Sequence, residues 1–266
     1  MKMTSILHLV LVSIQSFLIF VVSIYTVRIM ALSQRQNTVR KRSLNKELIF
    51  TLFVTHTLQG LTRFIYEILL FRFDYYNVAA SIFGYGQYFL SGLEIGFILM
   101  ITLERYVTVR FPLEFEIKKN LYRKIYFVTP FVVTFTAFSV SFYDPEVAWF
   151  LSIVVGIIII LTNVLLYRIV SEQTRRICLF VVHPDQSTQT KIRKKWRRRQ
   201  NRAFKICFLL TFSYVMLWIP YLTVRNFIPF TSTTWLVFDF LAYLNPIIDA
   251  FIYLRWNSIG LRLRLK

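Results

Sequence analysis

Glycine and proline are scarce: 266 residues hold only seven of each. A chain with so few turn formers does not build a barrel or sandwich of many short strands, and long helices are expected instead. Acidic residues are scarce as well, 13 Asp and Glu against 32 Lys and Arg, leaving a net charge of +19. Cysteine is limited to Cys178 and Cys207. Both fall on the side read below as cytoplasmic, so no structural disulfide is expected. The chain has no Asn-x-Ser/Thr sequon, so N-glycosylation is not expected.

Hydrophobic residues make up 56% of the chain, with 27 Phe and 15 Tyr, and its mean hydropathy is +0.54. A soluble domain of this length needs more polar surface to cover its core. Aromatic abundance suits helices in lipid with interfacial anchors. About 20 apolar residues cross a bilayer as a helix. Seven stretches qualify: Ser5–Ala31, Leu48–Leu70, Val78–Leu103, Ile125–Tyr143, Val147–Tyr167, Ile206–Val224 and Thr233–Leu254. Ser5 to Val27 carries no charge and is followed by basic residues rather than a small-residue cleavage site. It therefore reads as a retained first span, not a signal peptide. The fold class is all-α, a single integral membrane bundle of seven transmembrane helices over residues 1–266. A short interfacial helix is predicted over residues 256–266, with Trp256, Ile259, Gly260 and Leu263 on one face.

Positive charge is confined to alternate loops. Arg28 to Lys46, Arg105 to Lys124, Arg168 to Lys205 and Arg255 to Lys266 hold 28 of the 32 Lys and Arg. The positive-inside rule places these segments in the cytoplasm, the N-terminus outside and the C-terminus inside. The tract containing Arg197, Arg198 and Arg199 resembles a nucleic-acid-binding run. It lies between two membrane spans, and no nucleic-acid partner is expected. No soluble catalytic domain fits on either side, so the chain does not read as an enzyme.

Ionisable residues inside spans are costly and face the bundle interior. Here they fall at helical spacing. Span two has His56, Gly60, Arg63 and Glu67. Span three has Gln87, Ser91, Glu94 and Arg105. Span seven has Asp239, Ala242, Pro246, Asp249 and Tyr253. Each set shares one helix face. The simplest arrangement turns all three faces to a common interior. Toward the outer side, Arg63, Glu67, Gln87, Tyr88, Ser91, Trp218, Tyr221 and Asp239 form a candidate ligand pocket. Arg63–Asp239 is its expected ion pair, since a buried charge finds a partner. A transporter or channel also lines its interior with charge. The chain shows no internal repeat, however, and its fourth and fifth spans carry no charged residue.

The end of span three reads Leu103-Glu-Arg-Tyr-Val-Thr-Val-Arg-Phe-Pro-Leu113. It resembles the rhodopsin-like G-protein-coupled receptor signature at Glu104, Arg105, Tyr106, Pro112 and Leu113. Leu217-Trp-Ile-Pro220 is similar to that family's Cys-Trp-x-Pro, with Leu for Cys. Asn245-Pro-Ile-Ile-Asp249 is similar to Asn-Pro-x-x-Tyr, with Asp for Tyr. Tyr167 fits the Tyr expected near the end of span five. The chain departs from the pattern at Ala80, where most members have a disulfide Cys, at Gln200 and at His56. It is most similar to the nematode serpentine chemoreceptors. The resemblance implies a plasma-membrane receptor for a small extracellular chemosensory ligand, coupled to a heterotrimeric G protein. It assigns coupling to Glu104, Arg105, Tyr106, Pro112, Tyr167 and Arg197–Arg199. It assigns the activation switch to Trp218, Pro220, Asn245, Pro246 and Asp249. It also places His56, Glu94, Asn245 and Asp249 around the family's sodium site. His56 cannot supply an anionic ligand there. A hydrogen bond from His56 to Glu94 or Asp249 is expected in its place, with no metal and no cofactor.

Overall fold

The computed structural model describes residues 3–35, 44–73, 78–143, 145–179, 204–218, 220–221 and 233–262, and these are almost wholly helical. The helices are α1 Met3–Arg35, α2 Leu44–Phe73, α3 Val78–Arg110, α4 Pro112–Ile117, α5 Lys119–Tyr143, α6 Pro145–Leu179, α7 Phe204–Trp218, α8 Thr233–Ala242 and α9 Asn245–Arg262. Five stretches are long and apolar enough to cross a membrane: Leu9–Leu32, Leu44–Leu69, Ser81–Arg110, Ile153–Glu172 and Val237–Arg255. The expected fourth span lies in α5, which is not among the five. Its first turns carry Lys119, Arg123 and Lys124, and Thr129, Thr134, Thr136 and Ser139 dilute the rest.

The molecule is apolar outside and polar inside. Val10, Leu11, Ile14, Phe17 and Leu18 of α1 are exposed, as are Ile157, Ile158, Leu161, Val164 and Leu165 of α6. Gln15, His56, Gln59, Arg63, Glu94, Asp239, Asn245 and Asp249 are buried. Water would oppose this distribution, whereas a bilayer favours it. Hydroxyls are satisfied within their own helices: Thr26 donates to the Val22 carbonyl at 2.8 Å, Thr102 to Ile98 at 2.9 Å and Thr162 to Ile158 at 2.7 Å. Such back-bonding lets a polar side chain occupy an apolar span at little cost.

α3 is central and packs on α2, α4, α5 and α6. Its middle is buried, with Leu93, Phe97, Ile98, Met100 and Ile101 in the core, while Val78, Ile82, Tyr85 and Tyr88 near its start are exposed. Glycine sets its approach to α5. A Cβ on Gly92 would meet Thr134 Cγ2 at 2.7 Å, and one on Gly96 would meet Pro130 Cβ at 2.9 Å. Small residues one turn apart let two helix backbones come close. Gly60 does the same for α1 and α2, since its Cβ would lie 2.7 Å from the Phe20 backbone nitrogen. The expected inward stripe of span two is corrected here: Gly60 faces α1, not the shared interior.

Three further boundaries differ from expectation. The segment between spans three and four is not simply a loop. Phe111 separates α3 from α4, and Pro112 opens α4, where its missing N–H is harmless. Span seven is two helices, broken at Tyr243 and Leu244. Pro246 has no N–H to give the Ala242 carbonyl, and its ring crowds that turn. The interfacial segment is not separate, because α9 continues unbroken through Arg262. Gln200, Arg197, Arg198 and Arg199 lie outside the described residues, as do residues 222–232 and 263–266.

Candidate functional site

Polar side chains gather at three levels of the bundle. At one end Arg63, on α2, donates from Nη2 to Asp239 Oδ2 of α8 at 2.6 Å, and both residues are buried. The Arg63 guanidinium also lies over the Tyr243 ring, 3.3 Å from its centroid. Charge pairing and a π face together hold this cation away from water. Beside it, Gln87 donates to the Thr62 hydroxyl at 2.6 Å and to the Gln59 carbonyl at 3.0 Å. Gln59 donates in turn to Ser91 Oγ at 3.1 Å. Glu67, Gln87, Ser91, Trp218 and Tyr221 are buried as well. Tyr88 is the exception among the expected pocket residues, being half exposed. Its neighbour Gln87 points inward, and adjacent helix residues diverge by about 100°.

The middle level holds His56 of α2, Glu94 of α3, and Asn245 and Asp249 of α9, all without solvent exposure. Asn245 donates to Glu94 Oε1 at 2.7 Å and to Asp249 Oδ2 at 3.2 Å. Ser213 of α7 donates to Asp249 Oδ1 at 2.8 Å. His56 Nε2 stands 3.4 Å from Glu94 Oε1 and 4.0 Å from Asp249 Oδ2. The hydrogen bond expected of His56 is not formed, and both of its ring nitrogens lack a partner. The ring is ill-aimed for donation although close enough for attraction. A sodium ion takes hard oxygen ligands, as other hard cations do. The imidazole standing among these carboxylates makes the cluster a poor match for one.

The other end carries Glu104 and Arg105, the last buried turn of α3. Arg105 Nε lies 3.2 Å from Glu104 Oε2, an ion-pair contact without hydrogen-bond alignment. Thr108 anchors the same carboxylate through Oε1 at 3.3 Å. A groove of about 20 Å³ is lined by Arg105, Thr108, Val109, Leu166, Val170 and Phe204. That is room for about one water, so α6 and α7 leave only a narrow groove beside Arg105, which stays partly exposed. Tyr106 is half-buried. Tyr167 is exposed, with its ring against Phe204 at 6.2 Å. Pro112 and Leu113 are exposed on α4.

Aromatic rings span the distance between the levels. Tyr243, under Arg63, packs on Trp218 at 5.7 Å between centroids. Trp218 stacks on Tyr214 at 5.9 Å and meets Tyr221 edge-on at 5.6 Å. Pro220 is helical and half-buried just beyond Trp218, while Ile219 between them lies outside the described residues. Pro246 is buried at the start of α9.

Sequence reasoning missed Gln59, Tyr243 and Ser213. Gln59 and Tyr243 carried a signal, standing four residues before Arg63 and four after Asp239, on the same faces. Ser213 carried none beyond lying in an apolar span, whereas Tyr214 stands where the resemblance expects a Phe one turn before Trp218. Neither a scan against protein-family models nor a search of curated proteins finds a match for this chain.

Proposed function

We propose that the chain is a rhodopsin-like receptor: seven spans in the plasma membrane, N-terminus outside, C-terminus in the cytoplasm. In this reading α5 and α7 are the fourth and sixth spans, and α8 with α9 is the seventh. A small extracellular, chemosensory ligand binds among Arg63, Glu67, Gln87, Ser91, Trp218, Tyr221 and Asp239. A heterotrimeric G protein binds at Glu104 and Arg105, flanked by the basic loops. The observation that carries the reading is the narrow groove beside Arg105, lined by Leu166 and Val170 of α6 and Phe204 of α7. A groove of that width does not admit a partner's helix, and α7 swinging away, the motion a two-state receptor uses, would widen it. The aromatic contacts from Tyr243 through Trp218 to Tyr214 give the ligand end a path to bias that motion. Arg105 in the closed state is held by Glu104, its own neighbour, so opening exposes it without breaking a bond between helices.

The test is G-protein recruitment in cells against a panel of odorants and peptides. The parent protein is expected to recruit in response to at least one, and Arg105→Ala is expected to lose recruitment while surface expression and ligand binding persist. Full signalling by Arg105→Ala overturns the assigned role. A second reading, a transporter or channel subunit, draws on the buried charges His56, Glu94, Asp249, Arg63 and Asp239, which could line a path. It predicts substrate accumulation, or current without a G protein, in the same cells.

A further inference from the structure

We propose that His56, Glu94 and Asp249 form a binding site for a borderline divalent cation of the zinc class, joining α2, α3 and α9 at mid-bundle. One ligand atom from each residue lies within 4.8 Å of the other two. The imidazole nitrogen stands 3.4 Å from one carboxylate oxygen and 4.0 Å from the other. Ligand atoms around a tetrahedral zinc ion, with bonds of 2.0–2.1 Å, are about 3.4 Å apart. One separation already matches, the second needs to close by about 0.6 Å, and the third, which lies within 4.8 Å, by no more than about 1.4 Å.

Unmet valence in the cluster supports the site. His56 Nε2 is buried without a hydrogen-bond partner although it stands beside two carboxylate oxygens. Such an orphan is unusual in a folded protein, where buried polar groups are paired. A metal ion bonded to Nε2 and to the carboxylates would use it. Burial argues the same way. Two carboxyl groups and an imidazole have no solvent exposure, and a divalent ion would offset both carboxylates at once.

The surroundings serve the ligands. Ser213 and Asn245 hold the Asp249 carboxylate on both oxygens, and Asn245 also holds Glu94. Such outer hydrogen bonds orient metal ligands and tune their basicity. A water completes four-coordination. Donor type selects the ion: imidazole with carboxylates suits zinc and its neighbours, not an alkali ion. Bound there, the ion ties three helices together and, through Ser213, restrains α7. The proposal does not rest on the receptor reading, because binding is measured on the isolated protein without agonist or G protein.

The test uses the full chain, purified in detergent micelles and stripped with a chelator. Competing ligands elsewhere in the chain are removed by His8→Gln, Cys178→Ser and His183→Gln, leaving His56 as the last of the three histidines. At a hundredfold excess over Kd, zinc is expected to raise the melting temperature by about 5–10 °C, with sodium giving no comparable rise. Cobalt is expected to give the intense visible absorption of a four-coordinate site. Both responses are expected to vanish in His56→Asn and in Asp249→Asn. A zinc shift that survives both substitutions overturns the proposal, as does a melting curve that stays at the stripped protein's midpoint at every zinc concentration. Should both variants fail to fold, the cobalt spectrum of the background protein decides alone, an octahedral spectrum overturning the site and a four-coordinate one upholding it.

Discussion

Two arginines divide this molecule. Arg63 is buried and paired with a carboxylate 176 positions away, on another helix. Arg105 is partly exposed and paired with the residue beside it in the chain. The first pair fixes α8 against α2, and separating those helices strands a charge in an apolar medium. The second fixes nothing but a rotamer. A bond that joins helices is a staple, whereas a bond within one turn is a latch that opens without moving the fold. Sequence distance between partners, more than bond length, tells which end of the bundle is free to change.

The sharpest way to break this comparison is Asp239→Ala. It leaves Arg63 buried without its carboxylate and is expected to destabilise by about 3–5 kcal/mol, read as lost surface expression or raised basal signalling. The exchange Arg63→Asp with Asp239→Arg is expected to restore expression and to change the ligand response. If Asp239→Ala leaves expression, basal activity and agonist potency unchanged, the staple does not exist.

Gly60→Ala is next in size. Gly60 lies one turn before Arg63, and the added methyl would sit 2.7 Å from the Phe20 nitrogen and 3.1 Å from its Cα. Backbone cannot step aside as a side chain does, so a loss of about 1–3 kcal/mol is expected in thermal unfolding. Gly86→Ala is the matched control, since nothing lies within 4 Å of its Cβ, and no loss is expected there.

Arg105→Ala is expected to cost about 1 kcal/mol or less in thermal stability, as partly exposed ion pairs do. A cost as large as that of Asp239→Ala would show that Arg105 is a staple too. The smallest effect is expected at Lys118, whose fully exposed ammonium donates to Glu114 Oε1 at 2.9 Å. That bond holds its pKa above the ordinary lysine value. Any stabilisation it brings is present below the unfolded-state pKa and is lost only as pH rises through the folded one. Lys118→Ala at neutral pH is expected to leave the melting temperature unmoved, and added salt to make no difference.

The partners of the staple were legible in the sequence. Arg63 and Asp239 are charges inside apolar spans, and helical spacing put each on a face with other polar residues. The same spacing misled at Gly60, because a stripe drawn through offsets of three and four cannot separate the face toward the interior from the face toward a neighbouring helix. At Tyr88 the error was avoidable, since Gln87 already occupied the inward direction. Ser213, which holds Asp249, could not be found in advance. A serine in an apolar span most often bonds its own helix, as Ser213 can through the Leu210 carbonyl at 2.9 Å, and only the packing of α7 near α9 adds a carboxylate at 2.8 Å. The break of span seven had its signal in Pro246, but hydropathy averages across it, and one long stretch was expected.

That break separates the two carboxylates of span seven. Asp239 rides on α8 and Asp249 on α9, and the Ala242 carbonyl between them has no N–H to receive from Pro246. The span therefore behaves as a jointed shaft rather than a rod: twist applied at the Arg63 end is absorbed at Tyr243 and Leu244 before it reaches Asp249. What does cross the joint is lateral contact, Tyr243 against Trp218, so a displacement there bears sideways on α7 instead of along its own backbone.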